Sequence, residues 1–131
     1  MSVYCSWRGE FSNDALNALH AEAFNHQLLK EDWWSLVNRH SLGWVCAMKG
    51  DTLIGFVNVA WDGGVHAFVL DAMVSAEARG QGVGTELVRV AVQEARKAGC
   101  EWLHVDFEDR LQHFYFDMCG FKPIGAGLIR L

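Results

Sequence analysis

The stretch from Leu70 to Ala98, LDAMVSAEARGQGVGTELVRVAVQEARKA, constrains this chain more than any other. It reads as a buried strand, a tight glycine-rich turn and a long amphipathic helix whose first turn grows out of that turn. In Arg79-Gly80-Gln81-Gly82-Val83-Gly84 the glycines allow backbone conformations that a Cβ would forbid and let another molecule come close. The first amides of a helix have no internal acceptors and lie at the positive end of its dipole, so they can donate to a diphosphate without a dedicated side chain. Arg79 adds a charge-assisted donor beside them. A plain connecting turn and a dinucleotide-binding turn are the competing readings. The second fits badly. Its G-x-G-x-x-G turn follows the first strand of a βαβ unit, whereas here Gly80, Gly82 and Gly84 alternate behind an Arg and much of the chain comes earlier.

The rest of the chain supplies the partners this unit needs. Val3 to Trp7 reads as a short first strand ended by Gly9, and Ser12 or Asn13 caps a helix with Leu16, Leu19, Ala23 and Phe24 at helical spacing. Asn25 to Lys30 is a break before a second helix, about Glu31 to His40, with Trp33, Leu36 and Val37 on one side. Trp44 to Lys49 and Thr52 to Trp61 form a hairpin around Gly50-Asp51, and Asp62-Gly63-Gly64 turns the chain into His66 to Val74. The central helix begins near Gly82, carries Leu87, Val88, Ala91, Ala95 and Ala98 on its apolar face, and stops at Gly99. Trp102 to Val105 is a fifth strand, Asp109 a cap, Arg110 to Cys119 a short helix, and Phe121 to Leu131 a last strand interrupted by Pro123, Gly125 and Gly127. Three antiparallel strands followed by strand, helix and strand make a mixed α/β fold.

Composition narrows the function. The chain of 131 residues is expected to form a single domain, residues 1–131, with a real core. A net charge of -5 argues against nucleic acid and is compatible with a cationic amine as substrate. No apolar run approaches the length that spans a bilayer, so no membrane partner is expected. Cys5, Cys46, Cys100 and Cys119 lie far apart with no C-x-x-C and no secretory leader, and read as reduced, packed thiols of a cytoplasmic protein. The six histidines are equally scattered, so no metal site is expected.

The run from Val74 to Gly84 resembles the signature of the GNAT superfamily of acyl-CoA-dependent N-acyltransferases, an Arg or Gln followed by x-x-Gly-x-Gly or Ala after a strand ending in Val. The resemblance implies a GNAT-like α/β fold: a mostly antiparallel mixed sheet of about six strands, splayed around the fourth and fifth, with about four helices. It implies acetyl-CoA as co-substrate. Met73 and Val74 would offer backbone groups to the pantetheine arm, and Gly80, Gln81, Gly82, Val83, Gly84 and Thr85, with Arg79, would hold the diphosphate. The helix-loop-helix lies where this family builds its acceptor pocket, so His26, Trp33 and Trp34 are lining candidates; each is read more simply as packing or loop. The short tail implies a last strand that is absent or supplied by a partner subunit, which would make a homodimer.

Acyl transfer from a thioester to an amine needs a deprotonated amine, a stabilised carbonyl oxygen, a protonated leaving thiolate and reactants held together. Many family members place a Tyr four residues before the Gly-Phe pair of the short helix. Here that pair is Gly120-Phe121, and strict counting lands on Phe116, which cannot donate a proton. Tyr115 is the general-acid candidate if the helix carries one extra residue; its other reading is a packing tyrosine. The strand positions where the family has a Glu or His base count back to Phe68 and Leu70, both apolar. Asp71 either binds the amine and relays its proton or is a structural carboxylate, with Glu108 and Asp109 as alternatives. The expected function is N-acetyl transfer to a primary amine of a small molecule or peptide by direct attack in a ternary complex. A covalent route through Cys119 or Cys100 lacks a base beside either thiol, and the rival reading is a non-catalytic acyl-CoA-binding or regulatory module.

Overall fold

The computed structural model describes residues 2–131. Five strands, β1 (Val3–Trp7), β2 (Ser41–Lys49), β3 (Thr52–Trp61), β4 (His66–Val74) and β5 (Trp102–Val105), lie side by side in chain order. Helices α1 (Asn13–Phe24) and α2 (Trp33–His40) precede β2, and α3 (Val83–Lys97) connects β4 to β5. The first four strands pair antiparallel, while β5 joins β4 in parallel, the pairing that a helical crossover permits.

The central strands read as nearly unbroken apolar runs because both of their faces are covered. Val45 and Ala47 on β2, Val57 and Val59 on β3, and Ala67 and Val69 on β4 pack with Val83, Leu87, Ala91 and Ala95 of α3. The alternate residues Trp44, Cys46 and Phe56 pack on the other face with Leu16, Leu19, Val37 and Met73, under α1 and α2. On β4 the residues between Ala67 and Val69 and beyond, Phe68 and Leu70, therefore point to the α1 and α2 side, where they stay partly exposed.

Local chemistry sets the helix ends. Ser12 Oγ accepts from the Ala15 amide at 3.0 Å and opens α1, and left-handed Asn25 closes it. The second helix starts at Trp33, later than the expected Glu31, because Asp32 Oδ1 accepts from the Ser35 amide while the Glu31 amide and carbonyl are both bonded to the buried Asn17. Leu36 is exposed, so it does not share the buried side of Val37 as expected. This helix passes directly into β2, which begins at Ser41 and not at Trp44.

Two departures from regular pairing shape the middle of the sheet. Asn58 lies opposite Leu70 and Phe56 opposite Met73, so Asp71 and Ala72 together face Val57 in a β-bulge, with Asp71 at φ 53°. On its other side β4 pairs with β5 only from His66 to Val69; among the described residues Leu70 to Val74 have no ladder partner there. The two strands part at the expected place, leaving backbone groups of β4 free.

The C-terminal part departs from expectation. Asp109 is not a cap: it begins a 3-10 turn, Asp109–Leu111, with Glu108 at the cap position and no side-chain bond there. The expected helix from Arg110 is a single π-helical segment, His113–Met118. Residues 121–131 form no strand, so the sheet has five strands where about six were expected. Pro123, Gly125 and Gly127 interrupt that stretch, and Ile124, Leu128, Ile129 and Leu131 all lie exposed with nothing to hold a ladder.

Candidate active site

A cavity of about 400 Å³ opens where β4 leaves β5. One wall is the end of β4, with Ala72, Met73 and Val74; the floor is the glycine turn and first turn of α3; the third side is the π-helical segment, with Phe114, Tyr115 and Met118. Met73, Val74, Arg79, Gly80, Gly82, Val83, Gly84, Thr85 and Tyr115 all line it. Gln81 and Asp71 do not. The Gln81 side chain turns away and donates to the Glu77 carbonyl at 3.0 Å.

The floor is a set of unused donors. Gly82 sits at φ 80° in the cap position of α3 and brings no side-chain acceptor, and the first bond of the helix runs from Glu86 N–H to Gly82 O at 3.1 Å. The amides of Val83, Gly84 and Thr85 therefore have no backbone acceptor, and these residues line the cavity at the positive end of a 15-residue helix. Arg79 Nε donates to the Val74 carbonyl at 3.3 Å, which ties the guanidinium to the rim of the cavity.

Tyr115 owes its place to the π-helical turn. The Cys119 amide donates to the Phe114 carbonyl, five residues back, at 3.0 Å, and the Phe121 amide donates to the Tyr115 carbonyl, six residues back, also at 3.0 Å. A π turn holds one residue more than an α turn, which is the extra residue that the position of Tyr115 relative to Gly120-Phe121 demands. Its ring is buried, stacked on Phe107 with centroids 4.6 Å apart and flanked edge-on by Phe114 and Phe121. The hydroxyl makes no hydrogen bond among the described residues. Burial chiefly, then Cys119 and Asp106, pushes its pKa above the ordinary tyrosine value, so it is a proton donor across the neutral range.

Neither cysteine considered for a covalent route is a thiolate at neutral pH. Burial raises Cys119 to about 11, and burial followed by Asp62 raises Cys100. Glu108, paired with Arg110 at 2.8 Å, and Asp109 stand outside the cavity lining.

Next to Ala72 on the cavity wall, the bulge turns Asp71 towards α1. Its Oδ2 accepts from Asn58 Nδ2 at 3.4 Å, and its Oδ1 lies 4.0 Å from Nε2 of His20. His20 Nδ1 lies 2.6 Å from Nε2 of His26, whose Nδ1 lies 2.6 Å from the Gln27 carbonyl. Burial raises the Asp71 pKa, against the Asn58 bond and His20, which lower it. Burial lowers the His20 pKa, with Asp71 opposing and His26 assisting. Trp33 packs on the His20 ring at 5.2 Å. The structure thus brings His26 and Trp33 to His20, which lies beside Asp71, but Trp34 packs against Phe11 and Trp44 away from this group. Sequence reasoning missed His20 and Asn58. The one signal for His20 was its spacing of four from the buried Leu16, which puts it on the inner edge of α1.

The model of the acetyltransferase (GNAT) family matches residues 5–121, and the chain belongs to this family. It is a family of acetyl-CoA-dependent acetyltransferases. A curated relative, the probable glucosamine 6-phosphate N-acetyltransferase 2 of Oryza sativa subsp. japonica, is 41% identical over 64 residues, 49% of this chain and 38% of the relative, so this chain spans well under half of that protein's length. Among solved structures, a GNAT family acetyltransferase of Streptococcus pneumoniae TIGR4 superposes with a TM-score of 0.80 at 20% identity, covering 99% of this chain and 98% of the other. AAC(6')-Iy, solved with the bisubstrate analogue CoA-S-monomethyl-acetylneamine, gives a TM-score of 0.74 at 15% identity, covering 100% and 98%. At these identities the structural matches establish the fold, and the expected family and fold class are both borne out.

Proposed function

We propose that this protein transfers an acetyl group from acetyl-CoA to a primary amine of a small molecule or peptide by direct attack in a ternary complex. The observation that carries the reading is the convergence of three things on one cavity: the unpartnered amides of the first turn of α3, the edge of β4 that β5 leaves unpaired, and the side chain of Tyr115. The amides of Val83, Gly84 and Thr85 suit a diphosphate, with Arg79 at the rim. The backbone of Met73 and Val74, unpaired towards β5 apart from the Val74 carbonyl that accepts from Arg79, suits an extended amide-bearing arm, added to β4 as a further strand would be. Both are features of acetyl-CoA, which supplies the activated acyl group when bound.

Two further tasks, protonating the leaving thiolate and holding the amine, fall to Tyr115 and Asp71. Tyr115, held neutral by burial, gives its proton to the departing sulfur. Asp71 holds the cationic amine beside the bulge. The raised pKa values of Cys119 and Cys100 leave no thiolate for a covalent acyl-cysteine route. The small-amine assignment accords with relatives named for acetylation of an amino sugar phosphate and with a neighbour holding an acetylneamine conjugate. Four cysteines without a disulfide suit a reducing, cytoplasmic setting.

Calorimetry with acetyl-CoA, followed by thiol release over a panel of polyamines, amino sugars, aminoglycosides and peptide N-termini, tests the reading. Binding together with amine-dependent thiol release is expected. No binding at all would remove it, and binding with no release for any amine would leave the non-catalytic acyl-CoA-binding module in its place.

A further inference from the structure

The reaction releases a proton for which the cavity itself has no acceptor. An alkylammonium, with a pKa of about 10.4, must lose one proton to become nucleophilic. When its nitrogen bonds to the acyl carbon and the carbon–sulfur bond breaks, the nitrogen loses a second. One of the two replaces the proton that Tyr115 gives to sulfur, and the other must leave through the protein. A chain of polar groups runs from Asp71, next in sequence to Ala72 of the cavity wall, through His20 and His26 to the Gln27 carbonyl.

Its hydrogen-bond polarity follows from one fixed point. The Gln27 carbonyl can only accept, so Nδ1 of His26 carries a proton. In uncharged His26 the Nε2 is then an acceptor, and the 2.6 Å contact requires Nδ1–H on His20. Uncharged His20 is thereby left with a bare lone pair at Nε2, the atom that faces Asp71. Two acceptors 4.0 Å apart cannot bond to each other, but a donor nitrogen about 2.9 Å from each bridges them. Both side chains are reachable from solvent, at 21% and 28% exposure. Phe24, at 4.6 Å, and Trp33, at 5.2 Å, pack against the ring.

We propose that His20 Nε2 is the general base for the acceptor amine, that Asp71 holds the ammonium against it, and that His26 with the Gln27 carbonyl is the positioning pair that keeps His20 in its proton-accepting tautomer. The proposal rests on the amine-acetylation reading and adds the base that reading lacks. The ammonium gives its proton to Nε2, and the resulting imidazolium is held between Asp71 and the hydrogen-bond chain until it releases the proton to solvent. The groups facing His20 are Asp71 from β4, His26 from the loop, and the uncharged rings of Phe24 and Trp33. The burial that lowers its pKa keeps it unprotonated and ready near neutrality.

The test has two arms. In the first, nitrogen-15 resonances of histidine-labelled full-length protein, without any substrate, report the tautomers: both His20 and His26 are expected in the Nδ1–H form, and His26→Phe is expected to move His20 towards Nε2–H. In the second, His20→Ala and the shape-conserving His20→Gln are expected to lose about 100-fold in kcat/KM for an amine the wild type acetylates, with acetyl-CoA affinity within twofold. The acidic limb of the pH profile should vanish, and free imidazole should restore part of the His20→Ala rate. An Nε2–H tautomer at His20, or wild-type kcat/KM in both variants, overturns the base. A wild type that binds acetyl-CoA yet acetylates no amine counts against acetyl transfer itself, and the tautomer measurement still decides the relay.

Discussion

A β-carbon placed on Gly84 would stand 3.1 Å from Cζ of Phe114, the residue immediately before Tyr115. The first turn of α3 and the π-helical segment are thus in contact at the one position where the helix has no side chain. Gly84→Val would drive the Phe114 ring away and fill the cavity mouth, since Phe114 has helix on one side and the Tyr115 ring on the other. Acetyl-CoA affinity is expected to fall at least tenfold, read by calorimetry, and displacing the packed ring is expected to cost about 1–3 kcal/mol of stability, read by denaturant unfolding. Unchanged affinity would mean that the two elements do not jointly frame the cofactor.

Gly82 separates a backbone effect from a contact effect. Nothing lies within 4 Å of a β-carbon built there, but its φ of 80° is left-handed. Gly82→Val should therefore cost about 1–2 kcal/mol of stability through backbone strain alone, measured by denaturant unfolding. The same change reorients the amides of Val83 and Gly84, so acetyl-CoA binding should drop by more than the stability loss implies. A stability loss with full binding retained would detach the amides from the diphosphate.

How much of this was legible in the sequence differs by kind of interaction. β1, β4 and β5 begin and end where alternation and turn residues place them, and α3 starts where Gly82 ends the turn, because these boundaries follow from side-chain period and local backbone preference. The glycine turn that opens α3 was legible for the same reason. His20 was not, because its role depends on the bulge that swings Asp71 out of the ladder, and a bulge is a pairing event between β3 and β4 that neither strand encodes alone. Asn58 hid in an apolar run. The π turn showed only as a mismatch of one residue between Tyr115 and the Gly120-Phe121 pair, whose resolution needed the hydrogen bonds from Cys119 and Phe121. Residues 121–131 carry enough branched apolar side chains to read as a strand, yet a strand exists only with a neighbour, and among the described residues they have none.

Tyr115→Phe removes one oxygen and keeps the ring stacked on Phe107, so the fold and acetyl-CoA affinity should be unaffected. Turnover is expected to fall by about 100-fold, the usual contribution of a positioned general acid. The sign of the pH effect follows from burial. A tyrosine with a raised pKa stays protonated into the alkaline range, so the wild type should hold its rate there and lose it only as the phenol ionises, while the variant should show no such limb. Equal turnover in wild type and variant at every pH would reduce Tyr115 to a packing residue.

Asp71 is placed at the expense of stability, and that is measurable without any substrate. Burial raises its folded pKa above the unfolded value, so the folded state binds the proton more tightly and stability falls as pH rises from the unfolded carboxyl range through the folded pKa, then levels. His20 acts oppositely. Its lowered folded pKa means that its contribution is complete above the unfolded histidine value and is lost as pH falls below it. Asp71→Asn removes the first slope and steepens the second, since the carboxylate that opposes the lowering of the His20 pKa is gone, and because Asn tolerates a φ of 53° as well as Asp does, it adds no backbone strain. Denaturant midpoints taken between pH 4 and 8 should show the variant gaining on the wild type as pH rises, with the gain flat once both the wild-type carboxyl and His20 have titrated. A variant less stable than wild type at pH 7 would mean that the Asn58 bond and His20 outweigh the desolvation of the carboxylate, and that Asp71 is there to hold the bulge and not the amine.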